Sequence, residues 1–159
     1  MSNSNEEILN IIDTYKNYWV DYSFSDSSWN CSLSEGKATI AEIIGHLLYW
    51  DLNLISSAIP AVANNEGIVF PEFDSFNKTA YEYARSVTKD QLLDEFRNTR
   101  NDLSQLLLNS LEIIDKPTTT NGVSHCPYTG TPYSLIYIIQ EFIDHDAHHK
   151  VQMDAIQSR

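Results

Sequence analysis

Apolar residues recur along most of this chain at the spacing of an α-helix, and the stretches between them are rich in Ser, Gly and Pro. From about Asn5 to Tyr22 the residues Ile8, Leu9, Ile12, Tyr15 and Trp19 mark one face, which predicts a helix with a single buried stripe. Ser4 precedes it and Glu6 and Glu7 fall in its first turn, where a hydroxyl cap and negative charge both stabilise the free N–H groups. Residues 23–38 have many Ser and no period, so a loop is expected.

Thr39-Ile40-Ala41-Glu42 has the form of a capping box, with the Thr hydroxyl and Glu carboxylate each taking a free amide. Positions 40 to about 59 are then apolar on nearly every side, which predicts a helix buried between others, and Pro60 is expected to end it. The exceptions include His46 and Asp51. Asp51 falls inside the apolar stripe, where an unpaired carboxylate would be costly. Residues 60–75 read as a crossover and Phe76 to about Val87 as a shorter helix. Thr88-Lys89-Asp90-Gln91 forms a second capping box. The helix behind it carries Leu92, Leu93, Phe96, Leu103, Leu106 and Leu107 and runs to about Leu111.

A long loop over 115–132 holds His125-Cys126. Thr131 and Pro132 are expected as N-cap and first position of the last helix. Leu135, Ile138, Ile139 and Phe142 lie on one face of that helix, which extends beyond Met153. No segment has a convincing strand period. Four long helices and a short one bury their stripes most simply as an all-α four-helix bundle with a crossover. The expectation is one domain over 1–159, since a chain of this length buries roughly 70% of its unfolded surface without staples.

Composition narrows the function. A hydrophobic content of 42% excludes intrinsic disorder. The net charge of −12 comes from 22 acidic against 10 basic residues without a Lys/Arg cluster. Neither nucleic acid nor an anionic membrane surface is therefore expected as a partner. No run approaches the ~18 apolar residues of a membrane span. Cys31 and Cys126 are far apart and in no CxxC pattern, and Met1 to Glu7 lacks the basic and apolar regions of a leader. A cytoplasmic setting is the expectation.

The candidate chemistry lies in Asp144-His145-Asp146-Ala147-His148-His149-Lys150-Val151-Gln152, which holds three of the five histidines. On a helix His145 and His149 project from one face a turn apart, as two ligands of one metal ion do. At roughly 100° per residue, His149 lies close to the apolar direction and His145 on its shoulder. His148 falls well off that face, and Glu141 and Gln152 stack beside His145. A third ligand should come from another buried helix. His46 is the candidate there and His125 the rival. Three imidazoles leave coordination positions open, the pattern of a reactive centre, with zinc the default and nickel or iron also suited. Glu141, Asp144, Asp146 and Asp51 are candidate acceptors for the ring N–H groups, and Glu141 and Asp51 are candidate general bases. A cysteine nucleophile at Cys126 beside His125 is a separate possibility.

Thr39-Ile-Ala-Glu-Ile-Ile-Gly-His46-Leu-Leu-Tyr-Trp-Asp51, together with His145-Asp-Ala-His-His149-Lys-Val-Gln152, resembles the DinB superfamily over nearly the whole chain. Phe76-Asn77 and the region of Arg100 are weaker marks. The resemblance implies an up-down-down-up four-helix bundle, often dimeric, with one divalent metal ion on three histidines that map onto His46, His145 and His149. Some members resemble S-transferases that join low-molecular-weight thiols such as bacillithiol to electrophiles. Others are similar to mycothiol-dependent isomerases or are described as hydrolases, and a few have lost the metal. The expectation is a metal-dependent, thiol-using transferase acting on a small-molecule substrate as a homodimer. A hydrolase and a non-catalytic small-molecule-binding bundle are the alternatives.

Overall fold

A computed structural model describes residues 4–158. Met1, Ser2 and Asn3, part of the N-terminal reading above, lie outside the described residues, as does Arg159. The helices are α1 (Asn5–Asn17), α2 (Ile40–Asn53), α3 (Ile59–Ala63), α4 (Phe73–Ser86), α5 (Lys89–Leu108) and α6 (Leu135–Gln157), with a π-helical turn, Leu54–Ala58, joining α2 to α3. Both capping boxes close as expected, Thr39 with Glu42 and Thr88 with Gln91. Ser4 Oγ accepts from the Glu7 N–H. No helix among the described residues is long and apolar enough to cross a membrane.

α1 stops at Asn17, five residues short of the expected Tyr22, and α5 at Leu108 rather than near Leu111; three further boundaries differ from the sequence pattern, each for a local reason. Pro60 does not stop its helix. The Ile59 N–H reaches back to Leu54 in the wide π turn, and Pro60 then occupies the first turn of α3, where its missing N–H breaks no bond. The helix expected from Phe76 begins at Phe73, because the Glu72 carboxylate accepts from the Ser75 N–H and caps it. It is a 14-residue helix, and the short one is α3. The last helix starts at Leu135 behind Ser134, whose Oγ accepts from the Tyr137 N–H at 3.2 Å. Thr131 and Pro132 stay in the loop, where the Thr131 carbonyl accepts from the Cys126 N–H.

Helix directions follow from the contacts. Glu42 pairs with Arg85, whereas Trp50 meets Asn77, so α4 runs opposite to α2. Ile40 and Ile44 share an apolar cluster with Leu92 and Phe96, and Leu54 shares another with Leu103 and Leu107, so α5 runs with α2. Met153 and Ile156 join the first cluster and Leu135 to Ile139 the second, which turns α6 against α2. Ile8 and Ile12 lie in the second cluster while Tyr22 bonds Asp154, so α1 runs with α6. The bundle is up-down-down-up over α1, α2, α5 and α6, with α4 as the crossover helix. Gly45 permits the close approach of α4: a Cβ there would lie 2.8 Å from the Ala84 Cβ and 2.9 Å from the Ala80 carbonyl oxygen.

The core is therefore two apolar layers with a polar belt between them. The belt sits at one height on each helix: Tyr15 on α1, His46 and Asp51 on α2, Arg100 on α5, and His145, Asp146 and His149 on α6.

Candidate metal centre

Part of the belt is closed. The Arg100 guanidinium donates from Nε to Asp51 at 2.8 Å, and from Nη1 to Asp146 at 2.7 Å and to the Tyr15 carbonyl at 3.1 Å. The Tyr15 hydroxyl donates to the other Asp51 oxygen, and its ring stacks under the guanidinium at 3.7 Å. All four side chains are buried. Burial pushes the Asp51 and Asp146 carboxyls above their usual range, Asp146 to about 6, while Arg100 pulls both back. Asp51 and Asp146, expected as acceptors for ring N–H groups and Asp51 also as a base, are thus occupied by Arg100. Their sequence spacing showed that Asp51 needed a partner but not which one.

The other part of the belt is the histidine cluster. α2 carries His46 and α6 carries His145 and His149 one turn apart. The His145 Nε2 lies 3.2 Å from the Nε2 of His46 and 3.0 Å from that of His149, and the three possible ligand atoms all lie within 4.8 Å of one another. The structure thus brings together the three residues singled out from the sequence. His148 is exposed and turned away, and His125 lies in the loop with its Nδ1 against Ser124 Oγ.

Hydrogen bonds set which nitrogens face the centre. The Asn77 carbonyl oxygen accepts from the Trp50 indole N–H at 2.9 Å and contacts His46 Nδ1 at 2.8 Å. An indole only donates, so that oxygen is an acceptor and His46 Nδ1 carries the hydrogen. The His46 Nε2 lone pair is left pointing at the centre. His149 Nδ1 meets Gln152 Oε1 at 2.8 Å in the same manner. These amides, not carboxylates, orient the ring nitrogens. Gln152 was within reach of the helical i,i+3 rule, but Asn77 comes from a separate helix and no local spacing announces it.

Burial is the main cause that lowers the pKa of all three rings, His46 to about 4 and His145 to about 3. They are neutral at pH 7, the form that ligates metal. The converging lone pairs of His46 and His149 can be met either by an N–H of His145 or by a divalent ion held among the three rings. Nitrogens about 2.0–2.1 Å from a tetrahedral zinc ion lie roughly 3.3 Å apart, close to the separations found. The donor set fits one divalent ion.

His46 and His145 also line a cavity of about 590 Å³ walled by Trp50, Phe70, Phe73, Tyr133 and Phe142. Glu141, one turn before His145, lies on the same wall. Its carboxyl is raised by partial burial and by the charge of Asp144. Asp144 itself is exposed. Cys126 is buried outside this group, its thiol lowered to about 7 by hydrogen bonds from Tyr137 and Thr129.

A family model described as the DinB superfamily matches residues 22–153. Among solved structures, YfiT from Bacillus subtilis is similar, with a TM-score of 0.69 and 14% identity over 99% of this chain and 90% of that one. It is described as a probable metal-dependent hydrolase with an unusual four-helix bundle topology. At this identity the likeness concerns the fold. The curated proteins contain no match.

Proposed function

This chain belongs to the DinB superfamily, and from that premise we propose that it is a metal-dependent enzyme acting on a small molecule held beside His46 and His145. The observation that carries this reading is the meeting of three neutral imidazole donors with an aromatic cavity. A purely structural site is closed by its ligands, whereas this one faces space for a substrate. One divalent ion, zinc by default and nickel or iron by the all-nitrogen donor set, would sit on His46, His145 and His149 and lower the proton affinity of a thiol or water beside it.

The reaction favoured is transfer of a low-molecular-weight thiol to an electrophile, supported by the resemblance of His46, His145 and His149 to the ligand pattern of family members with that activity. Glu141, which lines the same cavity and whose carboxyl is raised, would accept the thiol proton. The sulfur then forms the S–C bond, and the leaving group departs with the electron pair of the bond it held. Hydrolysis is the second reading, favoured by the description of YfiT, with Glu141 taking a proton from water instead.

Elemental analysis of purified wild type beside His145→Ala, followed by assays with 1-chloro-2,4-dinitrobenzene and a thiol, tests this. About one equivalent of metal, lost in the variant, with thiol-dependent consumption of the electrophile, is the expected result. Metal with ester cleavage but no thiol dependence would move the assignment to the hydrolase. A wild type that takes up no metal on reconstitution would sink both and leave a binding bundle.

A further inference from the structure

We infer that the walls of this cavity, away from the histidine cluster itself, take an uncharged aromatic or alkyl body and offer an anion no counter-charge. This deepens the proposed function, on which it rests for the reacting end of the molecule. The wall chemistry itself is independent of that reading.

The cavity has the size of sites that take drug-sized ligands. Five of its walls are aromatic rings, and no lysine or arginine lines it among the described residues. Arg100, whose charge is felt at His145, is bound to Asp51 and Asp146. Apart from the two histidines, the ionisable group on the wall is Glu141, and an anion placed there would meet a like charge. A sulfonate, phosphate or carboxylate entering would lose its hydration without gaining a counter-charge from the chain.

Two of the wall's amide oxygens are committed. The Asn77 oxygen serves Trp50 and His46, and the Asn121 oxygen accepts from the Phe70 N–H at 2.8 Å. These bonds hold the wall rather than reach for a ligand. Trp50 is fixed further by edge contacts to Phe70 at 5.9 Å and Phe73 at 5.5 Å, so the aromatic surface is preorganised. At the lip Phe73 is 61% exposed and Val123 47%. Apolar surface left in water around a cavity mouth suits a ligand whose body continues outward.

The test uses N-phenyl-1-naphthylamine and its 8-sulfonate, which differ by one negative charge, titrated by fluorescence against the full chain before and after zinc loading. In the metal-free protein the neutral probe should bind at least about tenfold more tightly than the sulfonate, because the walls offer that anion no partner. Phe73→Ser should weaken the neutral probe, and Val123→Lys should strengthen the sulfonate alone. Equal or tighter sulfonate binding, or indifference of both probes to both substitutions, overturns the inference. Zinc uptake separates the two ideas. Zinc bound with the sulfonate preferred in the metal-free protein sinks the cavity assignment alone. Neutral preference without zinc uptake leaves the cavity assignment standing and removes the metal-dependent enzyme.

Discussion

The belt of this bundle holds two polar clusters side by side, and they solve the problem of burial in opposite ways. Around Arg100 every charge has a partner: two carboxylates and a backbone carbonyl accept from one guanidinium, a phenol hydroxyl donates to one of those carboxylates, and nothing opens to solvent. Around His145 the rings are neutral, the outer nitrogens of His46 and His149 are tied to Asn77 and Gln152, and the Nε2 atoms of all three face one another beside a cavity. The first cluster ties four helices together and has no spare valence. The second has three convergent ring nitrogens that could hold one divalent ion. Burial with all partners present marks a structural device, and burial with convergent lone pairs marks a site.

The largest expected effect comes from breaking the closed cluster. Arg100→Met leaves Asp51 and Asp146 buried without their cation, and removing one partner of such a group costs about 3–5 kcal/mol. Chemical denaturation should show that loss. Replacing Arg100, Asp51 and Asp146 together by apolar residues should recover most of it, and failure to recover would show that the cluster does more than hold helices.

The open cluster should respond in the reverse sense. His46→Ala or His145→Ala should abolish metal uptake by elemental analysis while the metal-free protein melts within a few degrees of wild type, since no ion pair is broken. A metal-free variant that fails to fold would erase the distinction between the clusters.

A smaller effect is expected one step outward. Asn77→Leu should reduce metal affinity by about 10–100-fold, as loss of partners to ligating histidines does. Nitrogen NMR of the metal-free variant should show the hydrogen of His46 moving from Nδ1 to Nε2, a change that loosened packing would not produce.

The smallest is a difference in acid sensitivity. His145 in the folded protein takes its proton near pH 3, whereas in the unfolded chain it does so near its ordinary value of 6.5. Below 6.5 the unfolded state therefore binds the extra proton, so the stability present above that pH is lost as pH falls towards 3. Melting of the metal-free wild type at pH 7 and pH 5 should show a larger drop than His145→Gln, whose side chain cannot charge. Equal drops would mean that partial burial does not hold His145 uncharged.

How far the chain could be read without coordinates depended on whether the cause was local. Capping at Thr39 and Thr88, the stripe of α6 and the placement of His145 and His149 on one face follow from neighbours within a turn, so the helices and the inward histidine pair were legible. The start of α4 was missed because Glu72 is an uncommon cap, and the passage through Pro60 because a π turn leaves no mark in hydrophobic period.

The sequence by itself determined the bundle class, the histidine pair and the cost of a carboxylate at position 51. Tertiary structure alone decided what stands opposite each of them. It set Arg100 against Asp51 and Asp146, and Asn77 rather than a carboxylate against His46. It also gathered Trp50, Phe70, Phe73, Tyr133 and Phe142 around one cavity from segments far apart in the chain. Periodicity records which face of a helix is buried. It carries no record of the partner across the interface, which depends on helix order, direction and the close approach that Gly45 allows.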